Sequence, residues 1–126
     1  SPALQANSTA LLFLPEGEHH ELGILFMYYL LKARGVKVLY LGANVPIKDV
    51  LYVADLKAPT FVYTHLTSVA SNFNFEKFLT KVGATLPKYS VVVSGLLTQT
   101  YKKGVPSNVN LKRSLPEVME YLGKIA

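Results

Sequence analysis

The sequence predicts an α/β fold in which a five-stranded parallel sheet carries helices on both faces. Two observations lead to this prediction. Apolar runs of strand length alternate with segments of helical periodicity along the chain, as in repeated strand–helix–strand units. The strand-like runs are also rich in apolar residues, as expected where helices cover both faces of a parallel sheet.

The first half of the chain contains two strand–helix pairs. A strand is predicted at residues 10–14, and the helix after it ends at Gly35, which can supply a left-handed C-terminal cap. A second strand is predicted at residues 36–41 and a second helix at residues 46–57. The buried stripe predicted for the first helix contains Leu22, Leu25, Phe26, Tyr29, Leu30 and Ala33. The inward residues predicted for the second helix are Val50, Val53 and Ala54.

The second half continues the alternation. Strands are predicted at residues 60–64, 89–94 and 109–111, and the segment 97–108 holds at most a turn or two of helix before Gly104 and Pro106. Ser71 or Asn72 can cap the third helix, which carries Phe75, Phe78, Leu79 and Val82. The last helix opens with a capping box of Ser114 and Glu117, and its stripe contains Leu115, Val118, Leu122 and Ile125. With right-handed crossovers, this order gives a flavodoxin-like (Rossmann-like) sheet of strand order 2-1-3-4-5.

Composition limits the class of protein. The chain has 126 residues, half of them apolar and 17% charged, which suits one folded domain at residues 9–126 after a tag remnant or linker at residues 1–8. No apolar run reaches the roughly 18 residues of a membrane span. The chain lacks cysteine, which excludes disulfides and thiol catalysis and fits a cytoplasmic protein. The net charge of +5 is spread over separate segments, so we expect no direct nucleic-acid contact by this domain.

The run Gly17-Glu18-His19-His20-Glu21-Leu22-Gly23 follows the first predicted strand and is the most informative segment. It places an imidazole just beyond a strand end, with a carboxylate two residues earlier. A carboxylate that holds one ring nitrogen fixes the tautomer and orientation of a metal-binding histidine. His20 is therefore a candidate metal ligand, and a surface or ordinary hydrogen-bonded histidine is the alternative.

Two further motifs stand at the ends of later strands. Thr64-His65-Leu66 begins at the last residue of the third predicted strand, and Ser94-Gly95-Leu96 begins at the last residue of the fourth. Ligands of open α/β sheets bind outside the carboxyl ends of the strands, so all three motifs should meet at one edge. His65 is either a second ligand contact or an ordinary loop histidine.

Glu18, His20 and Gly23 fit the pattern D/E-x-H-x-x-G of cobalamin-binding domains, and the two later motifs occupy the places of that family's S-x-L and G-G. The chain resembles these domains over nearly its whole length. With residues 38–46, the chain is similar to the cobalamin domain of MerR-type light-responsive repressors, the branch that we favour.

The resemblance implies a site for adenosylcobalamin or methylcobalamin. His20 would be the lower cobalt ligand, Glu18 would hold its second nitrogen, and Gly23 would let the corrin approach the backbone. Thr64 and Leu66 would line the crevice for the displaced nucleotide tail, and Ser94 and Gly95 would form the motif that gives it room. Leu96 departs from the family's second glycine and could narrow that channel.

The function expected from the resemblance is a sensory, photoreceptor-type domain in transcription regulation, not an enzyme. No catalytic array is visible in the sequence. The upstream helical bundle and winged-helix DNA-binding domain of such regulators are absent from this chain, and a homo-oligomer is expected for the full-length protein. Two alternatives remain: a corrinoid carrier domain of a methyltransferase or mutase, and a cofactor-free regulatory relic of the fold.

Overall fold

The structure, a computed structural model, describes residues 7–67 and 72–125. Strands and helices alternate along the chain as the sequence predicts. The strands are β1 (Thr9–Leu12), β2 (Lys37–Tyr40), β3 (Phe61–His65), β4 (Val91–Ser94) and β5 (Val109–Leu111). The helices are α1 (Leu22–Ala33), α2 (Ile47–Lys57), α3 (Phe75–Thr85) and α4 (Leu115–Ile125), and a short 3₁₀ turn covers Leu96–Thr98.

The five strands form one parallel sheet of order β2-β1-β3-β4-β5, which confirms the predicted fold class. Leu12 pairs with both Tyr40 and Tyr63, and His65 pairs with Ser94. The carboxyl ends of β1, β3 and β4 therefore lie side by side. The loops that carry the three sequence motifs leave the sheet at this edge.

Each face of the sheet has its own apolar core. On one face Phe61 and Tyr63 pack with residues of α1 and α4, and on the other Val62 and Leu66 pack with residues of α2 and α3. This division follows from the alternation of side chains along a strand. The same alternation determines the face of the sheet on which each residue of the motifs after β3 and β4 lies.

The predicted face of α1 is wrong. Its buried residues are Ile24, Met27 and Leu31. Three members of the predicted stripe are largely exposed, namely Leu22 at 84%, Phe26 at 56% and Tyr29 at 69%. Ala33 is exposed too, and Leu25 and Leu30 are only partly buried. The helix is apolar on nearly every side, so periodicity alone does not select the face that packs.

The caps and the last helix differ in detail from the prediction. Asn74 caps α3, accepting a 2.9 Å hydrogen bond from the Lys77 N–H, whereas Asn72 does not; Ser71 lies outside the described residues. Ser114 Oγ accepts from the Glu117 N–H at 3.3 Å, as the capping box predicts. The Glu117 carboxylate accepts from Arg113 rather than from Ser114.

Val118 and Leu122 are buried in α4 as predicted, but Leu115 is 41% exposed, and the side chain of Ile125 lies outside the described part. Gly35 has φ +86°, in agreement with its predicted role as a left-handed cap. None of the helices described within residues 7–67 and 72–125 has the length and apolar character needed to cross a bilayer.

Candidate functional site

A cavity of about 890 Å³ opens beside the carboxyl edge of the sheet. Its walls come from the first turns of α1 and α4, the ends of β3 and β4, and the segment after β4. Most of the lining is apolar, with polar groups at a few points. The lining residues that matter below are His20, Gly23, Tyr63, His65, Ser94, Gly95, Leu96, Lys112 and Arg113.

Glu18 is a fully buried carboxylate at the start of this site. Its Oε1 accepts a 2.9 Å hydrogen bond from the backbone N–H of His20, and its Oε2 accepts a 2.8 Å hydrogen bond from the backbone N–H of Thr67. Backbone donors of this kind stabilise a carboxylate away from water. Glu18 thus joins the loop after β1 to the loop after β3.

The same carboxylate orients the ring of His20. His20 Nδ1 lies 3.3 Å from Glu18 Oε1, and the side chain is 65% exposed. Nε2 makes no hydrogen bond to any residue in the described ranges, so it remains available at the mouth of the cavity. This is the arrangement expected of a histidine metal ligand, in which a carboxylate holds the nitrogen that does not bind the metal. His19, the adjacent exposed histidine, has no carboxylate partner within residues 7–67 and 72–125.

A row of three polar side chains lies on the inner wall of the cavity. The Tyr63 hydroxyl forms a hydrogen bond with Ser94 Oγ, and Ser94 Oγ lies 2.8 Å from His65 Nδ1. Burial raises the pKa of Tyr63 to about 12, so its hydroxyl stays protonated. Burial also lowers the pKa of His65, against the opposing effect of the Glu18 charge.

Two glycines make room at this wall. A Cβ on Gly23 would stand 2.4 Å from His65 Cδ2, so the imidazole lies directly against the glycine backbone. Gly95 has φ +105°, and a Cβ there would stand 2.3 Å from the carbonyl oxygen of Leu66. Both positions exclude a larger residue, the second through backbone conformation as well as space.

The structure brings Glu18, His20, Gly23, Ser94 and Gly95 together, and it places the other two predicted site residues elsewhere. Thr64 and Leu66 are fully buried and do not line the cavity. They lie on the α2/α3 side of the sheet, because Leu66 packs in that core and Thr64 alternates with Tyr63 and His65. Thr64 Oγ1 is buried without a hydrogen-bond partner among the residues described.

The sequence-based prediction missed Tyr63, Lys112 and Arg113 as cavity residues. Tyr63 could have been found from strand alternation, because it lies two residues before His65 on the same face. Lys112 and Arg113 follow β5, which is parallel to β4 and so ends at the same edge of the sheet. Only their position after a strand could have indicated Lys112 and Arg113, because basic residues in or beside loops are common.

Within residues 7–67 and 72–125, no group of three or more histidine, cysteine, aspartate or glutamate side chains could hold a metal ion. The described part of the chain therefore holds no complete set of protein ligands for a metal ion.

No protein-family model matches this sequence, and no curated protein matches it either. Solved structures do. A cobalamin-binding protein from Desulfitobacterium hafniense DCB-2 superposes with a TM-score of 0.73 at 16% identity, over 95% of this chain and 60% of that one. The methanol:cobalamin methyltransferase complex MtaBC from Methanosarcina barkeri gives a TM-score of 0.63 at 17% identity, over 90% of this chain and 51% of that one.

A third similar structure is the anti-anti-sigma factor PhyR from Bartonella quintana, with a TM-score of 0.57 and 14% identity over 94% of this chain and 46% of that one. The present chain thus spans about half to three-fifths of the length of these proteins. Identities this low establish the architecture and nothing finer. The chain has the flavodoxin-like, Rossmann-like fold that these two cobalamin proteins and the anti-anti-sigma factor share.

Proposed function

We propose that this domain binds a cobalamin-type corrinoid with its nucleotide base displaced from cobalt and His20 Nε2 in its place. The observation that carries the proposal is the pairing of His20 with the buried Glu18 at the mouth of the cavity. Glu18 Oε1 lies 3.3 Å from Nδ1, and Nε2 makes no hydrogen bond within the described ranges. The sequence resemblance and the cobalamin-binding structural neighbours support the same ligand.

The residues present fit such a group. Gly23 and Gly95 let the His65 ring and the Leu66 backbone pack closely at the inner wall, where a Cβ would clash with them. The cavity volume of about 890 Å³ lies in the range of roughly 300–1,000 Å³ typical of small-molecule sites. A single histidine would suffice, because a corrinoid would bring most of the ligands of its cobalt.

When bound, the corrinoid would supply organometallic cobalt chemistry. The chain's own residues orient and support it. Glu18 fixes the His20 ring and accepts a hydrogen bond from its Nδ1–H, which raises the basicity of Nε2. Lys112 and Arg113 line the α4 side of the cavity, and their positive charges would favour a bound phosphodiester there. We propose Tyr63, His65, Ser94 and Gly95 as the wall against which that tail packs.

At a finer level, we propose that the domain is the sensory part of a MerR-type, light-responsive transcriptional regulator and is not itself an enzyme. The support is the sequence similarity of residues 17–23 and 38–46 to that branch. In this case the domain alone should bind cofactor yet show neither sequence-specific DNA binding nor a change of oligomeric state on illumination. Size-exclusion chromatography in dark and light, with a gel-shift assay, tests this directly; either activity would contradict it.

A corrinoid carrier domain is the second candidate. The structural similarity to the methanol:cobalamin methyltransferase complex supports a carrier domain. The similarity to the cobalamin-binding protein from Desulfitobacterium hafniense supports cobalamin binding without indicating either role. A carrier domain of a methyltransferase would receive and pass on a methyl group, whereas a sensor need not. Enzymatic methyl transfer to the bound corrinoid from a methylated donor would support the carrier and count against the sensor.

The test of corrinoid binding is a matched pair of variants. His20→Ala should weaken cobalamin binding and abolish the spectral change that accompanies displacement of the base, whereas His19→Ala should leave both unchanged. The two residues are adjacent and exposed, and only His20 contacts Glu18. Equal effects of the two variants would remove His20 as the ligand. No binding by the unaltered chain would favour the cofactor-free relic.

A further inference from the structure

The polar row on the inner wall of the cavity consists of Tyr63, Ser94 and His65. Ser94 Oγ bonds to the Tyr63 hydroxyl on one side and lies 2.8 Å from His65 Nδ1 on the other. Tyr63 and Ser94 are buried, and His65 is partly buried. The order of the protons along this row determines what His65 offers to a ligand.

The serine hydroxyl has one proton, so it can donate to only one neighbour. If His65 Nδ1 donated to Ser94, the serine proton would go to Tyr63, and the tyrosine proton would have no acceptor among the described residues. A buried hydroxyl without an acceptor is unfavourable. The opposite order satisfies every proton: Tyr63 donates to Ser94 Oγ, and Ser94 donates to His65 Nδ1.

This order places the proton of neutral His65 on Nε2. Burial of the ring lowers the pKa of His65 and so favours the neutral form. Nε2 lies beside Gly23, and both residues line the cavity. Nε2 makes no hydrogen bond to any residue within 7–67 and 72–125, so its N–H is the one proton of the Tyr63–Ser94–His65 row that has no acceptor among the described residues.

We propose that His65 selects the lower base of the bound corrinoid, its Nε2–H donating to an acceptor nitrogen of that base. This inference rests on the proposed corrinoid binding and adds a ligand preference to it. Corrinoids whose displaced base carries a free ring nitrogen, such as a benzimidazole, are favoured over those with a phenolic base. The phenolic ring has no such acceptor and would leave the Nε2–H unpaired in the cavity.

The test measures dissociation constants for three ligands: cobalamin, a corrinoid with a phenol lower base, and cobinamide, which has no base. The ratio of the phenol-corrinoid constant to the cobalamin constant is compared between the wild type and two variants. His65→Phe keeps an aromatic ring without the donor, and His65→Gln keeps a side-chain N–H. Comparing ratios between proteins cancels the intrinsic cost of displacing the base from cobalt.

One hydrogen bond to a neutral acceptor predicts that the ratio falls about fivefold to tenfold in His65→Phe and changes by less than about twofold in His65→Gln. A His65→Phe ratio equal to that of the wild type would overturn the assignment, even if all affinities change together. Cobinamide separates the two levels of the argument. If cobinamide binds but the ratio is the same whatever residue stands at position 65, the proposed preference for the base is wrong and corrinoid binding stands. If the wild type binds none of the three ligands, both corrinoid binding and the preference are wrong.

Discussion

Replacing Glu18 by glutamine changes one buried atom and tests how this residue holds the site. Both carboxylate oxygens accept backbone N–H groups, Oε1 from His20 at 2.9 Å and Oε2 from Thr67 at 2.8 Å. An amide has only one oxygen. Whichever way it is oriented, its NH₂ group faces one of the two backbone donors, and that donor loses its acceptor.

The magnitude follows from these contacts. Leaving a buried donor unsatisfied costs about 1–3 kcal/mol, and more where the lost acceptor was charged, so the free energy of unfolding should fall by about 2–4 kcal/mol. Domains of this size have about 5–15 kcal/mol of stability, so the variant remains folded. With a urea m-value of about 1.5 kcal/mol/M, the unfolding midpoint moves down by about 1.3–2.7 M.

Urea titration followed by circular dichroism measures this shift, and Glu16→Gln is the control. Glu16 is exposed and lies two residues before Glu18, so the unfolding midpoint of Glu16→Gln should stay within about 0.3 M of the wild-type midpoint. A Glu18→Gln midpoint indistinguishable from that of Glu16→Gln would refute the double-acceptor account. The variant should also bind cobalamin more weakly, because the amide is a poorer acceptor for the His20 N–H.

Three other predictions follow from the same wall. Gly95→Ala should lower the free energy of unfolding by more than about 3 kcal/mol, because a Cβ there strains the backbone and clashes with Leu66. The control is Gly104→Ala, where the space is open and the free energy of unfolding should change by less than about 0.5 kcal/mol. Thermal melts of the two variants would show the difference. Leu96→Gly should tighten cobalamin binding in an equilibrium titration, because the side chain lines the cavity and is 64% exposed; weaker binding would mean that the leucine supports the ligand.

The pKa of His65 is lowered in the folded state, so unfolding takes up a proton and stability falls as the pH drops below 6.5. The urea midpoint of the wild type should therefore fall more between pH 7.5 and pH 5.5 than that of His65→Gln. An equal fall in both proteins would mean that other groups cause the loss of stability.

The alternation of apolar runs and helical segments was enough to predict the strand order, including the three-residue strand Val109–Leu111. It was not enough to predict the packing face of α1. Leu22 and Phe26 fit helical spacing as well as Ile24 and Met27 do, and only the tertiary contacts with the sheet distinguish them. When a helix is apolar on most sides, the periodicity predicts that the helix exists and how long it is, but not which face packs against the sheet.

For the site, the compact motif was predictable and the extended one was not. Glu18 and His20 lie two residues apart, so their contact depends on local geometry that the spacing itself encodes. The role expected of Thr64 depends on which face of β3 it occupies, and a shift of one residue reverses the face. His65 lines the cavity instead, with Nδ1 held by Ser94 from the neighbouring strand, a contact of residues far apart in sequence.

The most direct test of the central claim is the electron paramagnetic resonance spectrum of cobalt(II) cobalamin bound to protein carrying ¹⁵N-histidine. The axial nitrogen splits the cobalt lines, into triplets for ¹⁴N and doublets for ¹⁵N. If His20 replaces the base, labelled protein gives doublets, unlabelled protein gives triplets, and labelled His20→Ala loses the doublets while labelled His19→Ala keeps them. Triplets from the labelled wild-type protein would mean that the cofactor's own base remains on cobalt and would contradict the account.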